Sequence, residues 1–145
     1  MKNMYELDTN IFLEVLLEQE QAELCTKLLA KIRTGEMTAI LLDFSVDGII
    51  MILERYHKTP EDIRRFLLSL LGYSGLRIYP AKMIDKIRAT VKMKRYKLDF
   101  DDSLILQCAQ SNSCAALISL DQDFSKVKDF TCLTPAEVLG KQNSK

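Results

Sequence analysis

Residues 98–124 read LDFDDSLILQCAQSNSCAALISLDQDF, and this stretch decides the fold. Asp99 to Asn112 reads as a helix, with Asp99 placed to cap its free backbone amides. Ala115 to Ser119 is a short apolar run that suits a buried strand. Two further acids, Asp121 and Asp123, follow at once. Outward from here the same alternation recurs. Residues 4–7 form a short strand ending at Asp8. Ile11, Phe12, Val15 and Leu16 repeat at helical spacing over 10–18, and Leu24, Leu28 and Ile32 do so over 20–33. Gly35 stops that helix. Residues 38–42 are a buried strand, followed by helices at 44–56 and 60–72; Thr59 caps the second, with Pro60 in its first turn. Strand 76–79 is cut off by Pro80, and helix 81–95 leads back to the opening stretch. A short helix near 122–127 and a strand at 131–133 close the domain.

Strands separated by helical crossovers predict an α/β fold. The expected architecture is a three-layer α/β/α sandwich on a mostly parallel sheet of about five strands. Residues 1–138 are read as a single domain and 139–145 as a polar tail. A chain of 145 residues, 48% apolar and 28% charged, buries a core without staples. Its formal net charge is zero, so any phosphate grip is local. Cys25, Cys108, Cys114 and Cys132 form no C-x-x-C pair, and His57 is the only histidine. Zinc ligation has little to work with, and reduced, mostly buried thiols are expected. No leader or spanning run is seen, so a cytoplasmic protein without a membrane is expected.

In a parallel sheet, ligands sit beyond the carboxyl ends of the strands. Asp8 follows the first strand, Asp121 follows the strand ending at Ser119, and Asp102 lies in the first turn of the helix between. Carboxylates brought together repel unless a cation neutralises them, and hard ions such as Mg²⁺ or Mn²⁺ take oxygen ligands. Each acid also has a purely structural use. Asp8, Asp43 and Asp99 fit helix caps, and Asp121 with Asp123 fits an Asx turn. Calcium-loop, phosphate-loop and dinucleotide motifs are absent: Lys126 and Cys132 stand where a calcium loop needs Gly and Glu.

These residues resemble the PIN domain, the nuclease fold of VapC-like toxin ribonucleases in prokaryotic toxin–antitoxin pairs. The likeness rests on Asp8-Thr9-Asn10, on Asp102-Ser103-Leu104-Ile105 and on Ser119-Leu120-Asp121-Gln122-Asp123-Phe124. It runs from about residue 5 to Pro135. It implies a Mg²⁺- or Mn²⁺-dependent endoribonuclease. The implied catalytic acids are Asp8, Asp47, Asp102 and Asp121. Asp8, Asp102, Asp121 and the accessory Asp123 would hold metal, supported by Asn10 and Ser119. The chain departs from the pattern at the second acid, where the family carries Glu on its third helix. Asp47 is assigned there, while counting back from Leu53-Glu54 places Gly48 there instead.

For RNA backbone contact, Arg88, Lys92 and Arg95 recur at helical spacing opposite Ile84, Ile87 and Val91; a solvated outer face is the alternative. A receiver-type signalling domain needs paired acids after the first strand, and Asp8 is followed by Thr9 and Asn10. A phosphatase with an Asp-x-Asp pair needs it at the first strand, whereas Asp121-x-Asp123 comes late. The remaining rival is a catalytically weakened PIN-like RNA-binding or scaffold protein. Helices 10–33 and 44–72, with Leu67, Leu68, Leu70 and Leu71, suggest a homodimer face. The resemblance adds a small antitoxin partner.

Overall fold

The computed structural model describes residues 3–143. Five strands form one sheet: β1 (Met4–Leu7), β2 (Thr38–Leu42), β3 (Leu76–Tyr79), β4 (Ala116–Ile118) and β5 (Cys132–Leu133). Their order is β3-β2-β1-β4-β5, and every pairing is parallel. The helices are α1 (Thr9–Leu16), α2 (Ala22–Arg33), α3 (Asp43–Arg55), α4 (Pro60–Leu71), α5 (Met83–Tyr96), α6 (Phe100–Ser111) and α7 (Pro135–Asn143), with a 3₁₀ turn at Gln122–Lys126.

Both faces of the sheet are covered, which is why the inner strands β2 and β4 read as near-unbroken apolar runs rather than alternating ones, while β1 carries one buried acid, Glu6. Leu7, Ala39, Leu41 and Ile118 face a core shared with α1, α2, α3, α4 and α7. Leu42 and Leu117 face the opposite way, onto α5 and α6. The expected three-layer sandwich is therefore present. Near the start of β3, the Gly75 N–H donates to Ile32 O at 2.9 Å and its own carbonyl accepts from Ala39 N at 2.7 Å. A Cβ there would lie 2.1 Å from Met37 O, so only glycine lets these backbones approach.

Two expectations need correction. The polar tail expected from residue 139 is helical to Asn143, as the last turns of α7. Val138 and Leu139 are buried in it. Its start is marked by Thr134, whose Oγ1 accepts from Glu137 N at 3.2 Å while Glu137 Oε1 accepts from Thr134 N at 3.0 Å. This reciprocal cap matches the one at Thr59 and Asp62, which opens α4. Replacing Thr59 with Ala is expected to lower stability by about 1 kcal/mol, read as a shift in the urea midpoint.

The second correction concerns the face of α5. Ile84, Ile87 and Val91 point outward, at 47%, 56% and 65% exposure, while Asp85 and Ala89 are buried. Asp85 sets the rotation. Its carboxylate accepts from Tyr79 Oη at 2.8 Å, Lys82 N at 3.0 Å and Ser111 Oγ at 3.2 Å. A buried carboxylate must find such partners, and Ala89 is small enough for α6 to pack close.

Candidate active site

The chain runs from β1 outward to β2 and β3, then returns to the other side of β1 for β4 and β5. The reversal leaves a crevice beyond the carboxyl ends of β1 and β4, the place where open α/β sheets bind ligands. Asp8 ends β1, and Ser119 to Asp123 leave β4. Asp102 lies in the first turn of α6.

Asp8 is nearly fully buried and its oxygens are all engaged. Oδ1 accepts from Thr9 N at 2.7 Å and so caps α1. Oδ2 accepts from Ser119 Oγ at 2.6 Å and Asn10 Nδ2 at 3.2 Å. Asn10 Oδ1 in turn accepts from Leu120 N at 3.3 Å, and Ser119 Oγ accepts from Asp121 N at 2.9 Å. The polar pair expected to support the site thus ties the ends of β1 and β4 together. Burial raises the Asp8 carboxyl above its ordinary range; hydrogen bonds from Ser119 and Thr9 oppose the rise, and Asp121 adds to it.

Asp102, Asp121 and Asp123 each offer a carboxylate oxygen, and these oxygens all lie within 4.8 Å of one another. Asp121 Oδ1 accepts from Asp123 N at 2.9 Å, an Asx turn that holds the pair at the crevice mouth. Asp102 is half-buried. Burial, then the charges of Asp8, Asp99, Asp121 and Asp123, push its carboxyl up to about 7. A carboxylate this reluctant to ionise marks a site short of positive charge. The donors are all hard oxygens, so the group fits a divalent cation such as Mg²⁺ or Mn²⁺. Three of the four expected metal ligands are therefore brought together; Asp8 lines the same cleft but stands outside the cluster.

The second acidic position lies on the opposite wall. Asp47 and Gly48 both line the cleft from α3. Asp47 is exposed and outside the metal-sized cluster, and a Cβ at Gly48 would meet nothing within 4 Å. Asp43 accepts from Phe44 N at 2.7 Å and from Ala81 N at 3.1 Å, so its use is structural. Asp99 accepts from Asp102 N at 2.9 Å, as expected of a cap, and also lines the cleft.

The basic triplet does not reach this cleft. Lys92 is half-buried and donates to Gln107 Oε1. Burial, then Arg95, lowers its ammonium below the ordinary range. Arg95 pairs with Asp129 at 2.6 Å, and Arg88 is exposed on α5. A basic residue that does line the cleft, Arg55 at the end of α3, escaped the sequence reading.

The PIN domain family profile matches residues 5–129. The chain belongs to the PIN domain family. Solved structures agree on the fold. VapC20 of Mycobacterium tuberculosis, described as a sarcin-ricin loop cleaving toxin, superposes with a TM-score of 0.71 at 13% identity, over 88% of this chain and 96% of that one. VapBC2 from Rickettsia felis, bound to a promoter DNA fragment, gives 0.69 at 14%, over 90% and 98%. A toxin–antitoxin complex from Klebsiella pneumoniae gives 0.68 at 20%, over 90% and 97%. No curated protein matches by sequence. Among the described residues of this PIN domain, no helix is long and apolar enough to cross a membrane.

Proposed function

We propose that this PIN domain is a divalent-metal-dependent endoribonuclease that hydrolyses RNA phosphodiester bonds, and that it is the toxin of a toxin–antitoxin pair. The observation that carries the reading is the convergence of Asp102, Asp121 and Asp123 at the crevice between β1 and β4. The toxin assignment and a small antitoxin partner draw support from the VapBC neighbours. RNA as substrate draws support from the M. tuberculosis neighbour.

Asp102, Asp121 and Asp123 would hold Mg²⁺ or Mn²⁺, with Asp8 closing the inner side. The ion supplies Lewis acidity and lowers the pKa of water at the site. Asp8, held by Thr9, Asn10 and Ser119, is the acid fixed most firmly, and it orients what enters from the β1 side. Asp47, which lines the opposite wall outside the cluster, would help hold a second ion or orient water. Arg88, Lys92 and Arg95 are proposed as an outer contact for the RNA backbone, with Arg88 the most available of the three. A homodimer is proposed on apolar surface that no neighbouring element covers, including Leu67, Leu68 and Leu71 on α4 at 39%, 49% and 84% exposure.

One observation favours the rival scaffold reading: glycine stands at one of the two candidate second-acid positions. The test is cleavage of end-labelled single-stranded RNA and matching DNA with Mn²⁺, with and without chelator, alongside Mn²⁺ calorimetry. Chelator-sensitive internal cuts in the RNA are expected. No cleavage together with no Mn²⁺ binding would leave the scaffold. The calorimetry also has a pH signature. With a carboxyl at about 7, the ionised share of Asp102 grows from about one-tenth at pH 6 to about nine-tenths at pH 8. Mn²⁺ is therefore expected to bind roughly tenfold more tightly at pH 8.

A further inference from the structure

The cleft encloses about 560 Å³, far more room than a metal site needs and within the range that takes an organic ligand. Its two walls differ in chemistry. One is the acidic wall already described. The other is α3, which lines the cleft with Ser45 and Asp47 and with a stripe of Phe44, Gly48, Met51, Ile52 and Arg55. Their offsets of four, seven, eight and eleven residues put them on one helix face. Met51 is 57% exposed.

Gly48 sits in the interior of α3, where glycine weakens a helix by about 1 kcal/mol relative to alanine. No neighbour forces that choice, since a Cβ would meet nothing within 4 Å. Its effect is to leave a gap between Phe44 and Met51. Arg55 is exposed and is the only basic residue lining the cleft among the described residues. It has no hydrogen-bond or ion-pair partner among them, although acids line the same space. A guanidinium left open beside an apolar gap matches a nucleotide unit, with its flat apolar base and its phosphate.

Resting on the ribonuclease reading, we propose that this α3 stripe is the nucleotide subsite of the enzyme. An unstacked base next to the cleaved bond enters the gap over Gly48, flanked by Phe44 and Met51, and Arg55 takes the adjoining phosphate. The substrate class is then single-stranded RNA or a loop, because a base in a duplex is not free to enter.

The test uses the full chain, a fluorescein-labelled single-stranded RNA octamer of mixed sequence, and two variants. Arg55→Ala removes the phosphate contact, and Gly48→Leu fills the gap. Anisotropy with Ca²⁺ as the divalent ion reads affinity, and Mn²⁺-supported cleavage reads KM and kcat. Each variant is expected to weaken binding about tenfold and to raise KM more than it lowers kcat. Arg55→Ala should also flatten the slope of log affinity against log salt by about 0.7, with Arg55→Lys restoring most of it. Lys27→Ala on exposed α2 is the control and should change neither. Wild-type cleavage with unchanged KM, affinity and salt slope in both variants overturns the subsite and leaves the nuclease standing. A wild type that neither binds nor cuts RNA overturns both. Altered mass in light scattering with unchanged RNA affinity overturns the subsite as well, by giving the stripe to a second copy of the chain.

Discussion

Asp102→Asn is expected to cut RNA hydrolysis by on the order of 10²–10³-fold while leaving the chain folded. Asp102 is a half-buried member of the metal-sized cluster, and its carboxyl is pushed up to about 7 by burial and by four neighbouring acids. Asn keeps the shape and one oxygen but offers a neutral, weaker ligand. The same change should help the metal-free fold. A carboxyl raised in the folded state contributes stability that is complete below its unfolded value near 3.8 and is lost as pH rises through about 7. At pH 8 the wild type has lost that contribution, and the Asn variant never titrates. Its Tm without metal should therefore exceed the wild type's at pH 8, with the gap closing toward pH 4. Single-turnover cleavage and metal-free thermal melts read the two halves. Full metal-dependent cleavage in the variant would remove Asp102 from the site. Asp8→Asn should also lose cleavage but with a stability cost, because its oxygens hold Thr9, Asn10 and Ser119.

Glu6→Met is expected to stabilise the protein by about 1–3 kcal/mol at pH 7. Glu6 lies in the middle of β1, wholly inaccessible, and neither of its carboxylate oxygens has a partner among the described residues. Burial first, then the charges of Asp8 and Asp85, push its carboxyl well above the ordinary range. Even a neutral carboxyl left without hydrogen bonds costs its desolvation, and methionine fills a similar space without that cost. The pH dependence carries the same sign as for Asp102. The folded chain holds a proton that the unfolded chain sheds above about 4.5, so wild-type stability falls as pH rises from there toward the folded value. Urea midpoints at pH 5 and pH 8 should show the variant gaining more at pH 8. An equal or lower midpoint at both would overturn the reading of Glu6 as an unpaired buried carboxyl.

The layer order was legible because parallel strands buried on both sides leave unbroken apolar runs, as at Thr38–Leu42, between capped helices. The acidic cluster was legible for the same reason: its members sit at strand ends and in the first turn of a helix, where the fold itself points them to one crevice. Hydrophobic periodicity failed on α5, where one inward carboxylate, Asp85, with three hydrogen bonds outweighs three isoleucine and valine side chains. The start of α7 carried the Thr-Pro-x-Glu signature, but no helix was read after the strand at 131–133. Arg55 gave no local signal at all. It reaches the cleft only because α3 begins at the end of β2 and runs far enough to return it there.

Asp8 and Ser119 share a hydrogen bond across 111 positions of sequence, and Asp102, Asp121 and Asp123 come equally late. The acidic centre therefore cannot assemble from the N-terminal part of the chain alone. A polypeptide still emerging from a ribosome carries its first acid from the start, yet has no assembled centre until residue 123 is out and β4 has paired with β1. Fragments released before residue 119 lack Asp121 and the serine that fixes Asp8.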